Sequence, residues 1–355
     1  INVTIEQLNS KCDPNSLSSK NDHPINENEN NNDDDDNDVF YNQSFEIEVS
    51  KLKDFHRKSS QPTTDHQKFL ANNLSNFEND SFKRRNFISD LISLELINEF
   101  LLNKETDVYS LCCEILKVKL EQPSNVSYSV HDDYMRTGNL YQLVKILTLE
   151  DENAILAAIR CIQQLCIRCG LNSYERSQIE LKKSECINYL IVNLLHGKQE
   201  MIRAEAAASL ALVCLDNKEN LNIVLKTLDF SFLDVFKLMK SKSVNVKLKA
   251  AKAIALFSFN NTKQQSLIAK QAGALSFYFL KQIIYTPSNV YIICECAYLI
   301  ILLSPLIFDY EQSNSIAFGL QTLVYFFEIQ PSYYLRCFLA EKFASLTKLK
   351  NGKRT

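Results

Sequence analysis

The sequence is poor in glycine and proline and contains no tryptophan. Its 355 residues include 6 Gly, 7 Pro and no Trp, and the two closest glycines, Gly170 and Gly197, lie 27 residues apart. Phosphate-binding loops and nucleophile elbows need glycines within a few residues of each other. The spacing therefore disfavours dinucleotide-dependent enzymes, P-loop NTPases and α/β-hydrolases. β-Sandwiches and barrels need frequent turn residues and are disfavoured too, so we expect a helical protein.

Charge is distributed unevenly along the chain. The formal net charge is −3, but residues 27–38 hold seven acidic side chains, so the remainder carries +4. This excess is too small and too scattered to predict nucleic-acid binding. Residues 1–80 are rich in Asn, Asp, Ser, Glu and Lys and have few apolar residues. Such a segment cannot bury enough surface to fold, and we predict a disordered acidic tail.

Catalytic, metal and membrane motifs are scarce. Ten of the 11 cysteines fall in apolar helical patterns, which indicates buried thiols in a reducing compartment, and therefore a cytoplasmic protein. Cys161, Cys166 and Cys169 form the best metal candidate, but no second pair accompanies them, and we expect all three on one helix as structural residues. The five histidines form no catalytic motif, so we predict no catalytic residue, no cofactor, no metal and no enzymatic activity.

Two further features bear on targeting. The longest apolar run in the most hydrophobic stretch, 296–303, is eight residues, far below the ~20 needed to cross a membrane, and we predict no membrane span. The chain begins with Ile1 and shows no basic-then-apolar leader, as expected of a fragment or a processed chain.

An eight-residue pattern recurs along the chain, with small or apolar residues first and large apolar residues at its fifth and eighth positions. Its instances begin at residues 111, 158, 206, 250, 296 and 339, in steps of 47, 48, 44, 46 and 43. A shorter apolar helix is predicted before each instance, at 91–102, 140–147, 187–195, 232–239, 275–284 and 320–327. A third short helix is predicted at four joints, most clearly over 265–275. This period is typical of helical repeat arrays.

The joint that contains Ile268, Gly273 and Leu275 resembles the three-helix unit of the armadillo-repeat superfamily. The resemblance covers residues 86–350 and implies an all-α fold, a right-handed α-solenoid of about six armadillo-like repeats behind the tail 1–80. It also implies that the third and seventh positions of the long helix line a concave groove. In nuclear-import adaptors those positions hold Trp and Asn, and neither is present here, which disfavours a nuclear transport role.

The resemblance assigns a partner-binding groove to nine residues. They are Lys117, Arg160, Gln164, Ala208, Leu212, Lys252, Leu256, Tyr298 and Leu302. The three leucines would form an apolar floor between basic sides, suited to protein or peptide segments with apolar anchors and acidic flanks. A shift of the helix phase by one turn would instead place the three leucines in the core, and this alternative stays open. The acidic run 27–38 could fold back onto Lys117, Arg160 and Lys252 as an autoinhibitory contact.

The function expected from these features is a non-enzymatic scaffold or adaptor that binds other proteins. Residues 203–208 and 137–140 resemble the C-terminal repeats of Inscuteable-type polarity adaptors, which implies a role in cell polarity or spindle orientation at the cell cortex. A ciliary or cytoskeletal assembly protein, or a structural armadillo protein, is the alternative.

Overall fold

The protein is described by a computed structural model in nine segments of its C-terminal three quarters. These are residues 93–102, 106–121, 124–136, 139–168, 171–272, 278–285, 289–307, 309–329 and 333–349. All of them belong to one compact unit, Ile47–Thr355. The predicted tail, residues 1–80, lies outside the described residues, and so does the acidic run 27–38.

Sixteen α-helices make up most of the described residues. In chain order they are α1 Leu94–Leu102, α2 Thr106–Leu120, α3 Ser124–Arg136, α4 Leu140–Ile146, α5 Glu152–Cys166, α6 Glu175–Lys183, α7 Cys186–His196, α8 Glu200–Val213, α9 Lys218–Lys226, α10 Phe232–Leu238, α11 Val244–Ser258, α12 Thr262–Ala272, α13 Tyr278–Tyr285, α14 Val290–Leu303, α15 Asp309–Ile329 and α16 Tyr333–Leu346. A 3-10 turn, Ser304–Leu306, follows α14. Two short strands, β1 Ile167–Arg168 and β2 Asn172–Ser173, pair antiparallel after α5, with Ile167 opposite Ser173.

Six of these helices, α2, α5, α8, α11, α14 and α16, contain the recurring pattern and pack one against the next along the chain. Each also packs against the helix that precedes it in its unit, namely α1, α4, α7, α10, α13 or α15. A third helix occurs at four joints as α3, α6, α9 and α12. The predicted all-α solenoid of six armadillo-like repeats is therefore confirmed.

Small side chains let the long helices approach closely. Ala206 and Ala207 of α8, Ala250 and Ala251 of α11, and Ala297 of α14 are all fully buried. No single unit can cover the apolar faces of its own helices, so stacking creates the core. At least six of the described helices follow a side chain that accepts a hydrogen bond from the first turn. These side chains are Asp151, Asn217, Ser231, Ser243, Asn261 and Asn289.

The last unit departs from the predicted pattern. The predicted short helix 320–327 is the second half of a 21-residue helix, α15. Its Gly319 lies directly against α14, where an added Cβ would come within 2.7 Å of the Ala297 carbonyl oxygen and 2.6 Å of Ile301 Cγ1. A glycine is thus required for the close approach of α14 and α15.

The predicted placement of Cys161, Cys166 and Cys169 on one helix was wrong. Helix α5 ends at Cys166, because Ile167 adopts an extended conformation and begins β1. The Cys166 carbonyl instead accepts a hydrogen bond from the backbone N–H of Tyr174 at 2.8 Å. Cys169 lies outside the described residues, so the candidate set is not described as a whole.

Candidate functional site

One charged residue from each long helix forms a line across the six repeats. The residues are Glu114, Arg160, Glu205, Lys249, Glu295 and Lys342, in steps of 46, 45, 44, 46 and 47. Their signs alternate, so each acid has a base on the neighbouring helix. We call the surface that these six residues form the ladder face.

Glu205 is the centre of the ladder face and is fully buried. Its Oε1 accepts from Arg160 Nε at 3.1 Å and lies 3.1 Å from Lys249 Nζ, while its Oε2 accepts from Gln163 Nε2 at 2.7 Å. Burial alone raises the pKa of Glu205, but Lys249, Arg160 and the Gln163 hydrogen bond outweigh it and lower the pKa to about 2. Glu205 is therefore ionised and joins three consecutive long helices.

The first repeats extend the same network. Arg160 Nη1 lies 4.0 Å from Glu114 Oε1, and Lys117 Nζ lies 3.3 Å from Glu114 Oε2 and 4.0 Å from Glu121 Oε1. Gln164 Nε2 donates to Glu121 Oε1 at 3.1 Å. The charges at this end of the ladder face are thus mutually compensated.

The last two long helices are joined by a cation with an acidic and two aromatic partners. Lys342 Nζ lies 2.5 Å from Glu295 Oε2 and 4.6 Å from the ring centroids of both Tyr298 and Phe338. Burial raises the pKa of Glu295, but Lys342 and Lys252 reverse this effect and hold the pKa below its usual value. The Lys342 ammonium is stabilised by the carboxylate and by cation–π attraction.

An apolar row runs beside the charges, one helical turn closer to the N-termini of the same helices. Its members are Leu156, Met201, Tyr291 and Phe338, each four residues before a ladder residue and therefore on the same side of its helix. Leu156, Met201 and Phe338 are half-buried, and Tyr291 is 41% exposed. The rings of Tyr291 and Phe338 meet edge to face, 5.4 Å apart. The ladder face thus has accessible apolar side chains next to its charges.

The nine predicted groove residues divide into two groups. Lys117, Arg160, Gln164 and Lys252 are half-buried, and they lie on the ladder face. The other five are buried: Ala208 at 0% exposure, Leu212 at 1%, Leu256 at 3%, Tyr298 at 3% and Leu302 at 2%. The predicted apolar floor of Leu212, Leu256 and Leu302 was therefore wrong as an accessible surface, and these leucines belong to the core.

The error comes from the register between α5 and α8. The sequence pattern places these helices 48 residues apart, whereas the Arg160–Glu205 pair relates them by 45. The difference is about one helical turn. Ser209, not Leu212, therefore occupies the position equivalent to Gln164, and its Oγ donates to the Ile159 carbonyl oxygen at 3.3 Å.

Five of the six ladder residues were not among the predicted groove residues: Glu114, Glu205, Lys249, Glu295 and Lys342. A signal was present, because together with Arg160 they alternate in sign and recur at nearly the period of the repeats. A charge is rarely buried without a partner. Charges of alternating sign at that spacing thus predict cross-helix ion pairs.

Metal-ligand clusters and reactive thiols are the two other kinds of site considered for the described residues. No group of three or more His, Cys, Asp or Glu side chains there is arranged to hold a metal ion. Eight of the nine cysteines described are buried, and burial raises the pKa of Cys112 to about 12 and that of Cys166 well above its usual value. These thiols remain neutral. None of the described helices combines the length and the apolar character of a membrane-crossing segment.

The chain is similar in sequence to proteins that contain armadillo repeats. No protein-family model matches the chain. It is 30% identical over 187 residues, 51% of its length, to a mouse ankyrin and armadillo repeat-containing protein, and 29% identical over 188 residues to a human protein of the same name. The matches span only 12% and 13% of those relatives. The relatives confirm the predicted resemblance to the armadillo-repeat superfamily.

Solved structures with a similar chain trace include designed armadillo repeat proteins. One shares 17% identity, covers 72% of this chain and 100% of its own, and has a TM-score of 0.46. Another, in complex with the peptide (KR)4, shares 16% identity, covers 72% of this chain and 99% of its own, and has a TM-score of 0.45.

Proposed function

We propose that the protein is a non-enzymatic interaction scaffold and that an extended or helical partner segment binds along its ladder face. The observation that carries this proposal is the accessible apolar row beside a line of paired charges. The charges are held by ion pairs and hydrogen bonds, so the surface is ordered before a partner arrives. Apolar anchors next to ordered polar groups are the usual composition of a peptide-binding surface.

The side chains of the ladder face also indicate which residue types the partner would carry. Leu156, Met201, Tyr291 and Phe338 replace the buried leucines as the residues that would receive apolar anchors. The basic side chains between them favour acidic residues in the partner over basic ones. Protein or peptide segments with apolar anchors and acidic flanks therefore remain the proposed partners, on a different set of receiving residues.

Selection of peptides tests the proposal. Random 12-residue peptides would be selected on the full chain, and their affinities measured for the wild type and for Met201→Lys and Leu156→Lys. A charge placed in the apolar row is expected to weaken the selected peptides by about tenfold or more. The control is Val192→Lys, on α7, where the side chain is 53% exposed and away from the long helices. Equal affinity for all four proteins would contradict the proposal.

The cellular role is a separate part of the proposal. A cell-polarity or spindle-orientation adaptor is supported by the resemblance of residues 203–208 to Inscuteable-type repeats. In α8, however, Ala204 to Ala208 are all buried, so helix packing alone accounts for the alanine-rich sequence at these positions. A ciliary or cytoskeletal assembly protein would use the same scaffold. Localisation of the tagged full chain in dividing and in ciliated cells separates a cortical from a ciliary role, and both from a diffuse cytoplasmic one.

A further inference from the structure

Lys252 is the basic residue of this surface that makes no direct ion pair in the described segments. It is half-buried on α11, one turn after Lys249. The two carboxylates that face it are engaged elsewhere, since Glu205 pairs with Arg160 and Lys249 while Glu295 pairs with Lys342. Within the described segments, no hydrogen bond or ion pair reaches the Lys252 ammonium.

The surroundings of Lys252 therefore carry an excess of positive charge. The cations are Lys249, Lys252 and Lys342, and the carboxylates are those of Glu205 and Glu295, which leaves an excess of one positive charge. This imbalance is confined to the central and C-terminal part of the ladder face, because Lys117 and Arg160 at the other end have Glu114 and Glu121 nearby. Without a partner, the surface around Lys252 is therefore positively charged, whereas the charges at the other end of the ladder face balance each other.

The charged ammonium of Lys252 destabilises the folded state. Burial, with smaller contributions from Lys249 and Lys342, lowers the pKa of Lys252 to about 8 against the opposing effect of Glu295 and Glu205. A lysine whose folded pKa lies below its unfolded value destabilises the native state at neutral pH. Within the described segments no direct ion pair offsets this cost, which points to a ligand of opposite charge.

We propose that Lys252 receives the carboxylate of an aspartate or glutamate in the partner segment. This inference rests on the proposed function. Among the accessible apolar residues, Met201 on α8 and Tyr291 on α14 flank α11, two helix steps apart. Neighbouring helix axes lie about 8–10 Å apart, and an extended chain advances about 3.3 Å per residue. The partner that we propose is an extended segment, and for such a segment this distance corresponds to two apolar residues about five or six positions apart with an acidic residue between them.

The peptides selected on the full chain test this inference. Their affinities would be measured for the wild type, for Lys252→Met, which keeps the aliphatic stem, and for Lys247→Met. Lys247 is a matched control, because it is half-buried on the same helix but points away from Lys249 and Lys252. Lys252→Met is expected to weaken binding about tenfold and Lys247→Met less than about twofold.

A double-mutant cycle identifies the charge pair. Replacing the peptide's acidic residue by its amide should weaken binding to the wild type about tenfold and leave binding to Lys252→Met unchanged. The thermal unfolding midpoint of Lys252→Met should equal or exceed that of the wild type. Weaker binding by this variant would then not be due to misfolding. Unchanged affinity of Lys252→Met would overturn the inference.

The two proposals fail in different ways. If the selected peptides lose affinity for Met201→Lys but not for Lys252→Met, the ladder face binds peptides without the predicted carboxylate contact. If they are insensitive to Met201→Lys, the proposed function itself fails, and this inference fails with it. Selected peptides with basic rather than acidic central residues would also overturn the inference.

Discussion

At the scale of single residues, Glu205 joins three helices through one carboxylate. Glu205→Gln keeps the shape of the side chain but leaves Arg160 and Lys249 without their shared counter-charge. Because breaking a buried pair leaves uncompensated charge, we expect the free energy of unfolding to fall by about 3 kcal/mol, measured by urea denaturation. The control is Glu219→Gln, whose carboxylate pairs with Lys182 but is 71% exposed. Its cost should stay below about 1 kcal/mol, and equal costs would contradict this role of Glu205.

The same carboxylate makes stability depend on pH in a defined direction. The pKa of Glu205 is lowered from 4.5 to about 2. A depressed carboxyl pKa contributes stability that is complete above the unfolded value and is lost as pH falls toward the folded value. The difference in unfolding free energy between the wild type and Glu205→Gln should therefore shrink between pH 5 and pH 2.5. Denaturation curves across this range measure it, and a constant difference would be inconsistent with an ionised, paired Glu205.

At the scale of elements, the sequence predicted which helices form, but not how each one is aligned with the next. Apolar periodicity and small residues were enough for the six long helices and for α3, α6, α9 and α12. Alignment between helices depends on contacts far apart in the chain, such as Arg160 with Glu205. Similar eight-residue windows can match one turn too early or too late, so Leu212 and its two equivalents were assigned to the wrong surface.

The hairpin of β1 and β2 is a second element that periodicity missed. Cys166 and Ile167 continue the apolar pattern of α5, yet the chain turns extended at Ile167. Side chains distant in sequence support that turn. The Arg168 guanidinium lies 4.3 Å from the Tyr174 ring centroid, and the Tyr174 hydroxyl donates to Asp132 on α3. The local sequence pattern does not predict those contacts, so it did not predict the hairpin.

The close packing of α14 and α15 gives a prediction at the same scale. Gly319→Ala would gain helix propensity, but its methyl group would meet the Ala297 carbonyl oxygen of α14 at 2.7 Å. Backbone cannot move aside as a flexible side chain can, so the two helices must separate. We expect a net loss of about 1–2 kcal/mol in unfolding free energy, measured by thermal or urea denaturation. Ser313→Ala, exposed on the same helix, is the control, and a Gly319→Ala protein as stable as this control would show that α15 does not pack so closely.

At the scale of the whole molecule, the ladder face connects the repeats as well as offering a surface. Each long helix contributes one charge of alternating sign, so the pairs Glu114–Arg160, Arg160–Glu205, Glu205–Lys249 and Glu295–Lys342 each join neighbouring units. The compensated pairs stabilise the array, whereas the proposed binding residues are the apolar row and Lys252. In this proposal, stability and binding depend on different residues of one surface.

The central claim is that partners bind along the ladder face, and site-specific photo-crosslinking tests it most directly. A photoreactive phenylalanine analogue would replace Met201 in one protein and Val192 in another, and each would be irradiated with the same selected peptide. The account predicts a crosslink to the peptide from position 201 and none from position 192. A crosslink from position 192 and none from position 201 would contradict it.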